Sequence, residues 1–328
     1  MPVGNASDGI GLFAGQVMIS ANINMQHINW SHDPVEPNPD LEHFGHLSSA
    51  LLIPTITIGL SDYWNVNYTQ LIGIRGMEWG PHEESVHHRT ETSLEDFVNA
   101  KGGILGDGKF LFKYLLYNTG HEEGDRFFLG IGMSVPSQNV LTADPFFLEE
   151  EQNTGQVDWL EDGHDHRHFA LSDGNYKGLL ELQYFNKRTK NPVFWGIKLD
   201  SAIPFKDSDY GYKAGKSYSL SLSALFKPSI KIVSNPIGIS FGTVLLHAGQ
   251  GYWEDFKDPT SISTILITSI GGIWEVGNGT LSLNMQKPLL IDGVGTGSEN
   301  TLNNSFDAIE FTIGYRYALD YVIPWLYF

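Results

Sequence analysis

Residues 126–135 read RFFLGIGMSV, and this stretch decides the fold class of the chain. Large apolar side chains alternate with glycine, serine and charge: Phe127, Leu129, Ile131, Met133 and Val135 against Arg126, Gly130, Gly132 and Ser134. A period of two places the two sets on opposite faces of a β-strand. One face suits lipid and the other suits a polar interior, which is the pattern of a strand in a membrane β-barrel.

The same period recurs along the chain. It is clear in residues 17–26, 64–75, 109–116, 126–135, 217–226 and 306–317, and weaker in 46–60, 176–185, 192–203, 236–249, 261–276 and 280–287. Long links follow the first, third and fifth segments (29–45, 80–103 and 137–175), and short links follow the second, fourth and sixth. Outer-membrane barrels combine short periplasmic turns with long extracellular loops in this way. The sequence therefore predicts an all-β, transmembrane, antiparallel up-and-down barrel of about twelve strands, with fourteen as the alternative.

The barrel accounts for the whole chain, residues 1–328, as a single domain. Residues 1–14 precede the first strand, and we expect them in the periplasm or in the lumen. A soluble β-sandwich is the alternative fold, because its strands alternate as well. Three charged residues in mid-strand on the polar face, Lys113, Lys198 and Arg316, favour a wet lumen instead. The aromatic ending YVIPWLYF, which finishes in Phe328, fits an interfacial aromatic belt and resembles the terminal signature of outer-membrane proteins.

Composition excludes several classes of protein. The chain has no cysteine, so it has no disulfides and no thiolate metal site. Its net charge of −18 argues against binding to nucleic acid. No run of eighteen uninterrupted apolar residues is present, which argues against a helical span. Together with the barrel pattern, this leads us to expect that the protein resides in the outer membrane of a Gram-negative-type bacterium, with lipid and lipopolysaccharide around the barrel.

Two stretches carry a family resemblance. Residues 47–75, LSSALLIPTITIGLSDYWNVNYTQLIGIR, form a strand, a Gly-hydrophobic-Ser-Asp turn with an aromatic residue, and a second strand. Within residues 103–136, GILGDGKFLFKYLLYNTG is followed by RFFLGIGMSVP, a glycine-rich strand that ends in proline. Both resemble the outer-membrane transporter family associated with the meta pathway of phenol degradation. The resemblance implies a barrel that transports small, apolar molecules, and it points to no site residue. Long acidic loops with histidines are not part of that pattern.

Charged residues on the polar faces define the expected lumen lining. They are Arg75, Lys109, Lys113, Arg126, Lys177, Glu181, Lys198, Asp200, Glu310 and Arg316. This lining could filter ions, because a charged constriction sets ion preference. Alternatively, the charges could pair across neighbouring strands and brace a narrow barrel. The sequence thus predicts a porin-like channel for passive passage of a small solute, with a non-conducting binding or structural barrel as the alternative.

Histidines and carboxylates gather in the three long loops. Residues 29–46, 80–103 and 137–175 hold nine of the twelve histidines, and the densest cluster is His164, His166 and His168. Imidazoles beside carboxylates suit Zn²⁺ or Cu²⁺. Oxygen ligands for Ca²⁺ are offered by Asp33, Glu36, Asp40, Glu42 and Glu149, Glu150, Glu151. A divalent metal, a partner protein or a second copy of the chain could bind these loops, or the loops could be polar only to stay solvated.

An enzyme is not expected. Some outer-membrane barrels are lipid hydrolases with Ser and His on the barrel wall, and here Ser48 follows His46 and Ser172 follows His168 closely. The chain has no G-x-S-x-G or H-E-x-x-H motif, and neither pair resembles a lipase signature. A lipid hydrolase is therefore the minor alternative.

Overall fold

A computed structural model describes residues 11–32, 43–79, 91–92, 103–120, 123–144, 170–228, 238–258, 261–293 and 305–327. Twelve long strands follow one another along these residues. They are β1 (Gln16–His32), β2 (His43–Gly59), β3 (Trp64–Trp79), β4 (Leu105–Asn118), β5 (Gly124–Val135), β6 (Tyr176–Lys187), β7 (Phe194–Lys206), β8 (Ser217–Phe226), β9 (Gly238–Ala248), β10 (Ser263–Val276), β11 (Gly279–Gly293) and β12 (Ser305–Val322). A 3₁₀ turn, Pro324–Leu326, follows β12.

The twelve strands close into one antiparallel barrel. Each strand pairs with its neighbours in sequence, and β1 pairs with both β2 and β12, which leaves the barrel without a free edge. Ile23 lies opposite Ile313 of β12 and opposite Leu52 of β2. The predicted fold class, a transmembrane up-and-down barrel of twelve strands, is confirmed.

Alternation assigns the two faces of the wall as expected. Large apolar side chains point outward and are exposed, among them Ile23, Phe112, Ile131, Leu199 and Phe311. Polar side chains point inward and are buried, among them Asn22, Thr57, Asn65, Gln183 and Gln286. This arrangement is the reverse of a soluble protein, and it is the one that lipid outside and a polar interior require.

Several strands are longer than their apolar alternation predicted. The segment predicted over residues 17–26 is the core of β1, which continues to His32, and β2 begins at His43. The added outward positions are polar: His27 contacts Ser48 Oγ through Nδ1 at 3.0 Å, and His46 Nδ1 contacts Asn29 Oδ1 at 2.6 Å. These strand ends extend beyond the apolar belt. There the outward residues are polar as well, so apolar and polar residues no longer alternate. Part of the loop predicted over 29–46 is therefore strand.

The two ends of the barrel differ. Short connections (60–63, 119–123, 188–193 and 277–278) lie at one end, which we call the short-turn end, together with the start of β1 and the end of β12. The opposite end, the long-loop end, carries the connections after β1, β3 and β5. One connection departs from the predicted order: residues 227–237 join β8 to β9 at the short-turn end and are as long as several outer links.

Among the residues that the structure describes, no helix has the length and apolar character needed to cross a membrane.

Candidate functional site

The lumen has two chemically different sides. Strands β1–β3 and β10–β12 contribute mostly uncharged amides and hydroxyls, such as Asn24, Asn67 and Asn284. Strands β4, β6 and β7 contribute charges, of which Lys113, Glu181 and Lys198 are each 6% exposed. A neutral polar wall thus faces an ionic wall across the barrel.

The ionic wall is a connected cluster. Glu181 forms ion pairs with two lysines: its Oε1 lies 2.8 Å from Lys113 Nζ, and its Oε2 lies 3.5 Å from Lys198 Nζ. Lys198 also reaches Asp200 at 3.5 Å, and Asp200 accepts a hydrogen bond from Ser219 Oγ at 3.0 Å. Each buried charge therefore has an opposite charge beside it, which is the condition for burying charge at tolerable cost.

Gly130 leaves the space in which the side chains of Lys113 and Glu181 meet. It stands between Lys113 on β4 and Glu181 on β6 in the strand register, so these two residues are not direct neighbours. A Cβ placed on Gly130 would lie 3.0 Å from Glu181 Cβ and 3.4 Å from its Oε1. Because glycine has no side chain, Lys113 extends across it to the carboxylate.

The neutral wall carries many polar atoms that have no partner in the described part of the chain. They are Ser20 Oγ, Asn24 Oδ1, Thr57 Oγ1, Asn65 Nδ2, Asn67 Oδ1, Asn284 Nδ2 and Gln286 Oε1. Glu310 is better satisfied, since it accepts from Asn24 Nδ2 at 2.6 Å and from Gln26 Nε2 at 3.4 Å. Buried polar atoms are costly unless something hydrogen-bonds to them, so the interior of this wall is polar and not an apolar core.

The short-turn end is narrowed by residues 11–15. The amide of Leu12 donates to Asn65 Oδ1 at 3.0 Å, and Leu12 is 4% exposed. Gly11 packs towards the inward-facing ring of Phe128, and a Cβ on Gly59 would lie 2.0 Å from the carbonyl oxygen of Phe13. The N-terminal segment therefore runs along the inner wall from β2 to β5.

The long-loop end carries a folded group of loop segments, here called the outer cap: residues 136–144, 170–175, 207–216 and 249–258. Arg75 of β3 donates through Nη1 to the carbonyl of Ala170 at 2.8 Å, so residues 170–175 reach the inner wall two strands away from β5. The rings of Tyr212 and Trp253 are in contact, with 4.9 Å between centroids and an angle of 47° between their planes, and Tyr212 donates to Asp258 Oδ2 at 3.1 Å. The cap is thus a built structure over one side of the mouth.

Asn139 ties two parts of the outer cap together, which yields a first prediction. Its Oδ1 accepts from the amide of Leu171 at 2.6 Å, and its Nδ2 donates to the carbonyl of Gly103 at 2.9 Å. In Asn139→Ala both bonds are lost, and we expect the amide of Leu171 to exchange with deuterium roughly tenfold to hundredfold faster, as follows from unpaired buried groups of about 1–3 kcal/mol. Asn118→Ala, at the short-turn end, is the matched control. Unchanged exchange at Leu171 would contradict this assignment.

All ten residues predicted for the lumen lie on strands, at positions that alternate onto the inward face. The strand pairing places them on the same side of the wall as the buried polar residues. The structure joins Lys113, Glu181, Lys198 and Asp200 in one cluster, and it places Arg75 against the outer cap. His164, His166 and His168 lie outside the described residues, as do the carboxylates proposed for Ca²⁺. Within the described ranges, no three His, Asp or Glu side chains are grouped in a way that could hold a metal ion. Metal binding in these loops stays a prediction.

Sequence reasoning missed the apolar contacts at the short-turn end. Phe128 interrupts the polar face of RFFLGIGMSV, and this interruption was the available signal. The structure shows it inward and 2% exposed, beside the N-terminal segment. Phe185 is a second inward aromatic residue, 3% exposed, and its ring occupies the space above Gly196, where a Cβ would lie 2.2 Å from Phe185 Cδ1.

The amino-acid sequence matches no protein-family model and no curated protein. The fold is similar to that of the COG4313 outer membrane channel from Pseudomonas putida F1, with a TM-score of 0.55, 12% identity, and coverage of 95% of this chain and 98% of that one. The translocator domain of the autotransporter NalP from Neisseria meningitidis gives a TM-score of 0.41 at 9% identity, covering 95% and 90% of the two chains. The P. putida toluene transporter TodX gives 0.42 at 7% identity, covering 97% and 94%. At these identities the likeness shows the fold.

Proposed function

We propose that this protein is an outer-membrane channel for passive passage of a small polar or charged solute. The observation that supports it most is the polar inward face of a closed barrel whose outward face is apolar, because a polar interior is the usual lining of an outer-membrane channel. A purely structural barrel would gain from apolar filling or from complete pairing at these positions. The likeness of the fold to an outer membrane channel is consistent with this function.

Passage is restricted at both ends. Residues 11–15 narrow the short-turn end, and the outer cap covers one side of the long-loop end. The solute is therefore small, and the lumen between these two restrictions is where its chemistry is recognised. Short turns face the periplasm in outer-membrane barrels, so in this proposal the N-terminal segment stands at the periplasmic mouth.

Single-channel recording in a planar lipid bilayer tests the proposal, and one pair of neighbouring residues supplies a matched comparison. Asn67 faces inward and is 8% exposed, whereas Tyr68 faces outward and is 37% exposed. We expect steady conductance from the native protein and a loss of more than about half of it in Asn67→Phe, because an aromatic ring then enters a lumen of limited width. Tyr68→Phe should conduct as the native protein does.

Folding of each variant is checked by its shift in electrophoretic mobility on heating. If neither the folded native protein nor protein lacking residues 1–14 conducts, the proposed channel function is wrong. The alternative, a non-conducting binding or structural barrel, would then be favoured. Equal conductance in Asn67→Phe and Tyr68→Phe would show that current does not pass through this lumen.

A further inference from the structure

Lys109 is an inward-facing residue in the outer half of the lumen. It lies on β4 four residues before Lys113, and the residues between them that face lipid, Phe110 and Phe112, are 42% and 44% exposed. Lys113 is 6% exposed, whereas Lys109, whose position on β4 also faces inward, is an exposed residue. Lys109 is therefore the more accessible of these two inward lysines.

The other lysines that share this part of the lumen are paired. Lys113 binds Glu181 at 2.8 Å, Lys198 lies 3.5 Å from both Glu181 and Asp200, and Lys177 binds Asp173. Lys109 has no ion pair and no hydrogen bond in the described part of the structure. Lysines whose charge is matched by a carboxylate brace the wall, whereas the ammonium group of Lys109 has no such ion pair among the described residues.

The surroundings of Lys109 do not cancel its charge. The charged groups that act on it are Asp107 and Asp200, and Lys177 and Lys198, two of each sign. Asp107 accepts from the amide of Ser137 at 3.3 Å, and Asp200 is engaged by Lys198 and Ser219. Ser134 stands directly opposite Lys109 in the strand register, and its buried hydroxyl is a further unpaired group among the described residues.

We propose that Lys109 is the recognition site for the carboxylate of a small anionic solute in transit. The inference rests on the proposed channel function and specifies its substrate class. An ammonium group offers three donors and a full positive charge, and charge-assisted bonds to carboxylate are about twice as strong as neutral ones. The neutral amides and hydroxyls of the opposite wall would then contact the uncharged part of the solute.

A binding experiment tests the site without requiring conduction. Propionate and its neutral amide, propionamide, are matched in size, and saturation-transfer NMR detects weak binding of either to the protein in detergent micelles. We expect a signal for propionate that exceeds that for propionamide, is lost in Lys109→Gln and is kept in Lys109→Arg. Lys287→Gln is the control, because Lys287 points outward and pairs with Asp307. Absence of a propionate signal in the native protein, or an equal signal in Lys109→Gln, would overturn the site.

Ion selectivity supplies the second readout. Under a KCl gradient we expect the anion-to-cation permeability ratio to fall about tenfold in Lys109→Gln, from the loss of a unit charge at roughly 10 Å in an effective dielectric of roughly 20. Lys109→Glu should reverse the sign of the reversal potential, and Lys287→Gln should leave it unchanged. If the barrel binds propionate but never conducts, the proposed channel function is wrong and the proposed carboxylate site at Lys109 stands. Conduction with unaltered selectivity in Lys109→Gln would overturn the site and keep the channel.

Discussion

Removal of residues 1–14 should raise the single-channel conductance by about twofold or more, because an extended chain is about 5 Å wide and fills much of the mouth of a twelve-strand barrel. Two hydrogen bonds hold residues 11–14: the Leu12 amide donates to Asn65 Oδ1 on the inner wall at 3.0 Å, and the Ala14 amide donates to Asp62 Oδ1 in the turn between β2 and β3 at 3.3 Å. Neither bond belongs to the strand pairing of the barrel. The wall should therefore close normally without the segment.

Two point variants test whether the conductance depends on the contact of Leu12 with the inner wall or on the presence of the N-terminal segment in general. Leu12 is 4% exposed, while its neighbour Phe13 is 62% exposed. Leu12→Gly should release part of the contact and give intermediate conductance, or frequent steps between a small and a large level. Phe13→Gly should behave as the native protein. If truncated and native protein conduct equally, the segment does not limit passage.

The bonds of Gly15 explain why the truncation stops before it. Its amide donates to the carbonyl of Gly59 at 2.7 Å, and its own carbonyl accepts from the amide of Ile323 at 2.8 Å. Gly15 has a φ of 77°, a conformation that favours glycine, and a Cβ there would lie 2.7 Å from the carbonyl oxygen of Ile323. Gly15 thus connects the end of β2 with the residue that follows β12, beside the seam at which β1 and β12 pair.

The strands could be predicted from the sequence because the alternation of side chains is a local property. All twelve predicted segments correspond to strands, and their errors lie at the ends, as in β1 and β2, where outward residues become polar. Contacts between side chains of different strands could not be predicted in this way. Lys113 and Glu181 are brought together by the register of β4, β5 and β6, and the register depends on how far each strand is shifted when the barrel closes.

The outer cap shows a second limit of sequence reasoning. Its members, such as Asn139, Asn175 and Tyr212, lie in segments of mixed composition without any period. Asn175 is fully buried and bonds to the carbonyl of Tyr212 at 3.2 Å and to the amide of Ala214 at 3.1 Å. Polar residues in a loop suggest a solvated surface when they are read alone. Only the arrangement of neighbouring loops shows that these side chains hydrogen-bond to backbone groups of other loop segments inside a packed structure.

The second large effect is expected in Glu181→Gln, which should lose about 3–5 kcal/mol of stability, the usual cost of leaving a buried charge without its partner. Lys113 and Lys198 lie 2.8 Å and 3.5 Å from this carboxylate, and all three residues are 6% exposed. Lys198 keeps Asp200, but Lys113 has no second carboxylate among its described ion pairs. Urea unfolding of the protein in lipid vesicles, followed by tryptophan fluorescence, measures the change.

Glu310→Gln is the matched control, because it makes the same chemical change in another buried carboxylate of the lumen. Glu310 is 5% exposed, and its described hydrogen bonds come from the neutral amides of Asn24 and Gln26. No lysine loses its partner, so we expect a change of less than about 1 kcal/mol, the size of a neutral hydrogen bond. Adding Lys113→Gln to Glu181→Gln should restore part of the lost stability, since the orphaned charge is then removed. Equal losses in Glu181→Gln and Glu310→Gln would mean that the ionic cluster does not brace the wall and that its charges are free to face the solute.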